Sequence, residues 1–217
     1  MSEGYSAAMA DLTEKERYKL LCGIVVPRPI ALVTSLGEDG TVNAAPFSFF
    51  NVFSETPPLV ILGIQSRAAG TPKDTARNIR RSGEFVVNLV DEPSASAMND
   101  CAIDFPPELG EPAELDLATA ASDLIAPPRL AGAPFALECR RHTILSFGPE
   151  RDILLGEVLA VHARPGLVDA DRLHVDVEAY RPLAWLVGDQ HARLGEVFSM
   201  RREAYPEFAA RKGTGRG

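Results

Sequence analysis

The chain has 217 residues, of which 46% are hydrophobic and 24% are charged, a composition typical of a globular protein with a sizeable core. Its 22 basic and 30 acidic residues give a formal net charge of −8, which argues against sequence-independent nucleic-acid binding and against docking on anionic membranes. Neither a secretory signal nor a membrane-length apolar run is present, and the three cysteines are widely spaced, so we expect a cytoplasmic protein with reduced thiols.

Short strands separated by turns dominate the first part of the chain. The spacing of apolar residues predicts a helix over residues 11–21. Because two nearby prolines prevent a regular strand, we expect the first strand to begin near Ile30. An Asp-Gly turn at 39–40 separates it from a strand over 41–45. Pro46 is expected to interrupt that second strand, and residues 59–64 form the next one.

Residues 71–81 carry the clearest helix pattern in the chain. Thr71 is the predicted cap, Pro72 fits the first helical position, and Asp74 follows three residues after the cap. Gly83 lies just past the predicted end, where a left-handed residue commonly terminates a helix.

The rest of the chain continues the pattern of many strands and few helices. We predict a strand over 84–90, a short helix over 93–101, a helix near 118–124, and strands over 135–145, 153–162 and 173–177. This order favours a mainly β fold, an antiparallel barrel with peripheral helices. We expect three parts: a helical extension over 1–20, one domain over 21–200, and a partly disordered tail over 201–217.

The common cofactor and metal motifs are missing. No G-x-G-x-x-G follows a strand, and there is no phosphate-binding loop of the G-x-x-x-x-G-K-[ST] type. The four histidines, at 142, 162, 174 and 191, lack ligand spacing, so no metal site is predicted. A redox reaction would therefore need an organic cofactor held by a fold without a Rossmann motif.

The segment after the first turn is one candidate binding region. Its small residues let a planar ring approach the backbone, its proline frees neighbouring amide and carbonyl groups, and its polar side chains add hydrogen bonds. The segment comprises Asn43, Ala44, Ala45, Pro46, Phe47 and Ser48. A buried strand with an irregular bend is the alternative interpretation.

The start of the predicted helix is a second candidate region. A helix N-terminus offers unpaired amides and a positive dipole end, and nearby cations complete a phosphate site. The side chains concerned are those of Ser66, Arg67, Lys73, Thr75 and Asn78. Asp74 would repel a phosphate unless it caps the helix or pairs with a basic neighbour. A well-capped, solvated helix is the alternative interpretation.

Four segments stand in order between about residues 20 and 200: PRPIALVTSLGEDGTVNAAPFSFFNVFSETPPLVILGI, KDTARNIRRSGEFVVNLV, LLGEVLAVH and RPLAWLVGDQHARLGEVF. Together they resemble the flavin-reductase-like proteins of the FMN-binding split-barrel class, which include the reductase components of two-component flavin monooxygenases. The resemblance implies FMN, with FAD as the other flavin to consider, on an antiparallel split β-barrel. It also implies a homodimer with flavin near the subunit interface, NAD(P)H as co-substrate, and a partner oxygenase.

The same resemblance assigns roles to individual residues. It implies that Thr34 and Ser35 face the cofactor, that the backbone of residues 43–48 lines the isoalloxazine ring, and that the ribityl phosphate contacts Ser66, Arg67, Lys73 and Thr75. Asn78 is expected to brace the helix against the sheet. Where relatives carry a tyrosine near the C-terminus, this chain has His191, which would hydrogen-bond the ring or alter its potential.

The implied reaction is hydride transfer from the nicotinamide C4 to the flavin N5, with the protein supplying orientation and electrostatics. Backbone amides of residues 45–48 are expected to stabilise the negative charge of the reduced flavin. No residue is predicted to act as a general acid or base. Three alternatives stay open: an FMN electron carrier, a non-catalytic flavin- or haem-binding module, and a structural or partner-binding protein.

Overall fold

The protein is mainly β, as the sequence predicts. The computed structural model describes residues 4–67 and 70–214. Its strands are β1 (Arg28–Pro29), β2 (Ala31–Leu36), β3 (Val42–Phe47), β4 (Phe50–Glu55), β5 (Pro58–Gln65), β6 (Glu84–Leu89), β7 (Thr119–Ala120), β8 (Arg129–Leu130), β9 (Phe135–Phe147), β10 (Arg151–Ala163), β11 (Val168–Asp169), β12 (His174–Val175), β13 (Leu183–Trp185) and β14 (His191–Arg193). The helices are α1 (Glu14–Ile24), α2 (Asp74–Ser82), α3 (Ala95–Asp100), α4 (Glu111–Glu114), α5 (Val177–Tyr180) and α6 (Tyr205–Thr214).

Seven strands form one curled sheet. Their order is β3-β2-β6-β9-β10-β5-β4, and every neighbouring pair is antiparallel. The two outer strands, β3 and β4, follow each other directly in the chain, so residues 48–49 connect the two edges of the sheet. At this crossing the amide of Gly63 on β5 donates a 2.7 Å hydrogen bond to the carbonyl of Phe49.

The main hydrophobic core lies between the sheet and α2. Ala76 and Ile79 of the helix pack in the same buried cluster as Phe47, Phe85 and other strand residues. The ring of Phe85 is fully buried and crosses the backbone of β10, where an added Cβ at Gly156 would lie 2.3 Å from its Cζ atom. Only glycine leaves room for the ring at this position. A second cluster, which includes Ile30, Leu32 and Met98, fills the other side of β2.

Helix α1 confirms the predicted N-terminal helix, with later bounds. Thr13 caps it reciprocally with Glu16, the Thr13 amide and hydroxyl both donating to the carboxylate and the hydroxyl accepting from the Glu16 amide. The helix continues to Ile24 and so crosses the boundary that we predicted between residues 20 and 21. The predicted boundary therefore lies inside helix α1 and not at its end.

Two local predictions are wrong. Helix α2 begins at Asp74 with Lys73 as its N-cap, so Thr71 does not cap it, although Gly83 ends it in the left-handed conformation as expected. The predicted helix near 118–124 is absent; β7 lies there and pairs with β8. In the tail, Tyr205–Thr214 is helical, consistent with the helix propensity of its alanine, arginine and lysine residues, and residues 215–217 lie outside the described chain, so partial disorder over 201–217 stays a prediction.

Pro46 does not interrupt its strand. β3 continues through Pro46 to Phe47, with Pro46 opposite Leu32 of β2. The amide of Ala44 points away from β2, where it donates to Glu111, and backbone groups two residues apart on a strand point to the same side. The ring nitrogen of Pro46 therefore faces the open edge, where the sheet needs no amide donor.

Candidate functional site

The two candidate regions of the sequence meet where strand β3 packs against the start of helix α2. The side-chain amide of Asn43 donates a 3.0 Å hydrogen bond to the hydroxyl of Thr75. At the end of the same strand, the ammonium group of Lys73 lies 5.8 Å from the centre of the Phe47 ring. Residues that are about thirty positions apart in the sequence thus form one continuous surface.

The open edge of β3 is partly closed by a buried carboxylate. Glu111, in the short helix α4, accepts a 2.8 Å hydrogen bond from the backbone amide of Ala44. Burial raises the pKa of Glu111 above its ordinary value, against the opposing effect of that amide. Ala44 is fully buried, whereas Ala45, Pro46 and Ser48 remain partly accessible, so the accessible part of the segment follows the Glu111 contact.

The start of α2 combines cations with a free helix end. The N-cap residue, Lys73, makes no side-chain capping hydrogen bond, so the backbone amides of the first turn are uncapped. Burial lowers the pKa of the Lys73 ammonium group below its ordinary value, because the charged form loses hydration there. Arg67 lies beside this end, and its backbone amide donates a 2.7 Å bond to the carbonyl of Thr71.

Asp74 pairs with basic neighbours, which is one of the two roles that the sequence left open for it. The guanidinium of Arg67 donates a 2.7 Å hydrogen bond to one carboxylate oxygen, and that of Arg77 donates to the other. Burial raises the pKa of Asp74, but the hydrogen bonds and charges of the two arginines outweigh that effect and hold it below its ordinary value. The carboxylate is therefore ionised and held in place by two guanidinium groups.

Thr34 and Ser35 lie behind this surface. Both are fully buried on β2, and they point to opposite faces of the strand. The Thr34 hydroxyl donates a 2.6 Å bond to the carbonyl of Pro128, while the Ser35 hydroxyl accepts a 3.2 Å bond from Asn78 of α2. Asn78 thus braces the helix against the sheet, as expected. Within the described chain neither hydroxyl reaches the accessible surface at Ala45–Ser48.

Ser66 and Ser48 are each engaged by another part of the chain. The Ser66 hydroxyl donates a 2.9 Å bond to the carbonyl of Pro149, in the turn between β9 and β10. The Ser48 hydroxyl accepts a 3.3 Å bond from Arg28. Arg28 is buried and also donates to the carbonyls of Cys22, Val25 and Leu186. It therefore connects α1, the β3–β4 crossing and the chain that follows β13.

His191 lies on β14, next to the strand that pairs with β1. Its ring packs against Trp185 with 5.2 Å between the ring centres, and its Nδ1 atom lies 3.2 Å from the carbonyl of Asp189. Its Nε2 atom is buried and has no hydrogen-bond partner among the described residues. Through Leu186 and Arg28 this hairpin is linked to Ser48, while His191 itself contacts Trp185 and Asp189.

A cleft of about 560 Å³ lies along the flank of α2. Its walls include Asn43, Asp74, Asn78 and Glu111, together with the turn between β2 and β3 and the segment around Phe105. The cleft therefore adjoins both the Asn43–Thr75 contact and the Asp74 ion pairs. A cleft of this size can hold a ligand larger than a single phosphate.

Sequence reasoning missed the importance of Arg28, Arg77 and Glu111. Arg28 and Glu111 act through distant partners, Glu111 lying 67 positions from Ala44, whereas Arg77 pairs with Asp74 three residues before it. Only the type of residue gave a signal: a charged side chain in a largely apolar or proline-rich segment needs a partner if it is buried.

One group of metal-ligand types comes together away from this surface. Within the described ranges, ligand atoms of Asp123, Glu138 and His162 lie within 4.8 Å of one another. Both oxygens of the fully buried Glu138 already accept 2.7 Å bonds from the amides of Asp123 and Leu124, and one lies 2.6 Å from Nε2 of His162. These contacts fasten the 122–128 segment to the β9–β10 hairpin. Separately, no helix in the described ranges is long and apolar enough to cross a membrane.

Comparison with known proteins identifies related sequences and folds. The family described as "Flavin reductase like domain" matches residues 24–189. 2-Nitrobenzoate 2-nitroreductase of Pseudomonas fluorescens is 36% identical, with a TM-score of 0.86 over 93% of this chain and 98% of that one. Nitrilotriacetate monooxygenase component B of Bacillus cereus is 35% identical, with a TM-score of 0.88 over 92% of this chain and 100% of that one.

A more distant structure supports the fold alone. A split-barrel protein of Shewanella frigidimarina shares 15% identity and a TM-score of 0.80, covering 92% of this chain and all of that one. The curled antiparallel sheet described above is therefore the split barrel that the sequence predicts.

Proposed function

The chain belongs to the flavin reductase-like family, and from that premise we propose that it is an FMN-binding oxidoreductase that transfers hydride from NAD(P)H to flavin. The observation that carries the proposal is the junction of β3 and α2. There a strand edge with small residues meets an uncapped helix end with Lys73 and Arg67 beside it.

The residues present suit a flavin phosphate. The uncapped amides at the start of α2 and the partly dehydrated Lys73 ammonium favour an anion, because either gains from a negatively charged partner. Thr75 is positioned by Asn43 next to the same helix end. We propose that Lys73, Arg67 and the α2 amides bind the phosphate, with Ser66 and Thr75 at its margin.

The ring would lie along the accessible part of the β3 segment. Ala45 and Pro46 offer little side-chain bulk, so a planar ring can approach the backbone closely. Glu111 and Arg28 hold the two ends of this segment, at Ala44 and Ser48, and so reduce its freedom to move. Thr34 and Ser35 support the site from behind, through Asn88 and Asn78.

A bound flavin supplies the redox chemistry by accepting a hydride and passing on electrons. The contribution of the chain is to bind, to orient the ring and to provide amide donors near residues 45–48. Hydride transfer from nicotinamide to flavin needs no general acid or base from the chain. We propose FMN as the bound flavin, with FAD as the alternative.

The proposed function is tested by mixing the purified protein with FMN, FAD and riboflavin and following absorbance near 450 nm and flavin fluorescence. NADH or NADPH is then added under anaerobic conditions in a stopped-flow instrument. We expect flavin binding in the micromolar range or tighter and bleaching by at least one nicotinamide. Binding without bleaching would indicate an electron carrier or a binding module, and no binding would refute the proposal.

Reduction of a nitroaromatic compound is a second candidate function. It is favoured by the 36% identity to 2-nitrobenzoate 2-nitroreductase over 93% of this chain, which is close to the 35% identity to nitrilotriacetate monooxygenase component B. The two candidates are separated by adding 2-nitrobenzoate to the NAD(P)H assay at catalytic flavin concentrations. Under anaerobic conditions, NAD(P)H consumption that depends on 2-nitrobenzoate and yields a reduced nitro product supports the second candidate.

The remaining proposals concern assembly and location. We propose a homodimer, because exposed apolar side chains such as Val52, Phe53 and Phe198 need a cover in water. Size-exclusion chromatography with light scattering tests this.

A partner oxygenase is proposed by analogy with monooxygenase component B. A cytoplasmic location is proposed because Cys22, Cys101 and Cys139 are free and buried.

A further inference from the structure

The proposed phosphate site contains an anion of its own. Asp74 is the first residue of α2, and its side chain is 11% exposed. It occupies the Arg67 guanidinium through a 2.7 Å hydrogen bond, at the helix end where the phosphate is proposed to bind. A phosphate that binds Arg67 must therefore compete with a carboxylate that the chain supplies.

Asp74 cannot leave easily when a phosphate arrives. Its other oxygen is bound by Arg77, one turn along the same helix, and the residue is largely buried. Once Arg67 turns to the phosphate, the ionised carboxylate stays within the same helix turn and repels the new anion. The helix end also attracts the phosphate less strongly, because Asp74 already interacts with the positive end of the helix dipole.

The neighbouring charges reinforce this balance. In the described part of the site, the cations are Arg67, Lys73 and Arg77, and the carboxyl groups acting on them are Asp74, Asp104 and Glu111. Asp104 is 92% exposed and lies 4.0 Å from Arg67, where solvent screens it. Of the three, Asp74 is the carboxylate with direct hydrogen bonds to a proposed phosphate ligand.

We propose that Asp74 lowers the affinity of this site for phosphorylated flavins by pairing with Arg67, so that the flavin exchanges with solution instead of staying bound. The inference rests on the proposed function. It makes the flavin a diffusible substrate and product, suited to delivery of reduced flavin to a second protein. Asp74 is then a specificity residue that acts on the phosphate and not on the ring.

The test compares FMN with riboflavin, which lacks the phosphate, in the wild-type protein and in Asp74→Asn. Dissociation constants come from fluorescence titration at low salt, and release rates come from stopped-flow displacement. We expect Asp74→Asn to bind FMN about tenfold more tightly and release it about tenfold more slowly, with riboflavin changed less than twofold. The matched control is Asp104→Asn, for which we expect less than a twofold change with either flavin.

The outcomes separate this inference from the proposed function. If the wild-type protein binds neither flavin, the proposed function fails and the inference fails with it. If both flavins bind but Asp74→Asn leaves FMN affinity unchanged, weakens it, or shifts both flavins equally, the inference alone is refuted. Circular dichroism and riboflavin affinity report whether Asp74→Asn is folded, and Asp74→Ser replaces it in the same comparison if it is not.

Discussion

The side-chain amide of Asn43 donates a hydrogen bond of 3.0 Å to the hydroxyl of Thr75 and so ties the edge strand of the barrel to the first turn of α2. Neither partner is exposed, and the strand and helix that they join contribute the proposed ring and phosphate contacts. The contact sets the distance between the two halves of the proposed flavin site.

Asn43→Ala is expected to weaken FMN binding about fivefold. The loss of one hydrogen bond of about 1 kcal/mol leaves Thr75 without its positioning partner and lets β3 move relative to α2. Fluorescence titration with FMN measures the effect. Asn51→Ala, at an exposed position on β4, the next strand along the chain, is the matched control and should bind FMN as the wild type does. Equal affinities for Asn43→Ala and the control would contradict a positioning role.

Arg67→Ala and Lys73→Ala are each expected to weaken FMN binding about tenfold while changing riboflavin less than twofold. A charge-assisted hydrogen bond contributes about 1.5 to 3 kcal/mol, and only FMN carries the phosphate that receives it. Isothermal titration with both ligands makes the comparison, and the FMN affinity of the wild type should also fall with added salt. The exposed Lys19 provides a control, Lys19→Ala. Equal losses for FMN and riboflavin would remove these residues from the phosphate site.

Much of the fold follows from local sequence, and the exceptions share a cause. The strands around Ile30, 59–64 and 84–90 and the Gly83 helix end depend on neighbours within a few residues, and the structure confirms them. Sequence alone predicts that Pro46 breaks a strand, because it does not show that β3 is an edge strand. Whether proline is tolerated depends on which side of the strand lacks a neighbour, and this is a tertiary property.

The candidate site was predictable only in part for the same reason. Sequence alone identified the two segments that meet at Asn43 and Thr75, because each has a local chemical character. It left Asp74 with two alternative roles, because Thr71 resembled a cap and Arg67 could not be placed beside the helix. Arg28 could not be assigned at all, since one of its partners, Leu186, is 158 positions away.

Gly156→Ala is expected to destabilise the protein by about 2 to 4 kcal/mol, since overpacking of a filled core is costly and the fully buried Phe85 ring has little room to yield. The added methyl group would lie 2.3 Å from Cζ of that ring. Urea unfolding followed by circular dichroism measures the loss. Gly132→Ala, where an added Cβ meets nothing within 4 Å, should change stability by much less. The double variant with Phe85→Leu should be less destabilised than the sum of the single variants; strict additivity would argue against this contact as the cause.

Glu138→Gln is expected to lower stability at neutral pH and to lose that effect in acid. Burial raises the pKa of Glu138, but the amides of Asp123 and Leu124 and the His162 side chain outweigh it and hold the pKa below its ordinary value of 4.5. A carboxyl group with a lowered folded-state pKa stabilises the protein fully above its unfolded pKa, and that contribution is lost as the pH falls through the folded value. The wild type should therefore exceed Glu138→Gln in unfolding free energy by about 2 kcal/mol at pH 7, because charge-assisted hydrogen bonds are lost in the variant.

The pH series decides whether that difference comes from the carboxylate charge. Unfolding by urea at pH 7, 5, 4 and 3 should show the gap between wild type and Glu138→Gln steady from pH 7 to about 5 and shrinking below that, as the wild-type carboxyl group becomes protonated. Glu55→Gln, at an exposed position at the end of β4, should track the wild type throughout. A gap that stays constant down to pH 3 would mean that Glu138 contributes through its shape and packing, and that its ionised form does not anchor the 122–128 segment.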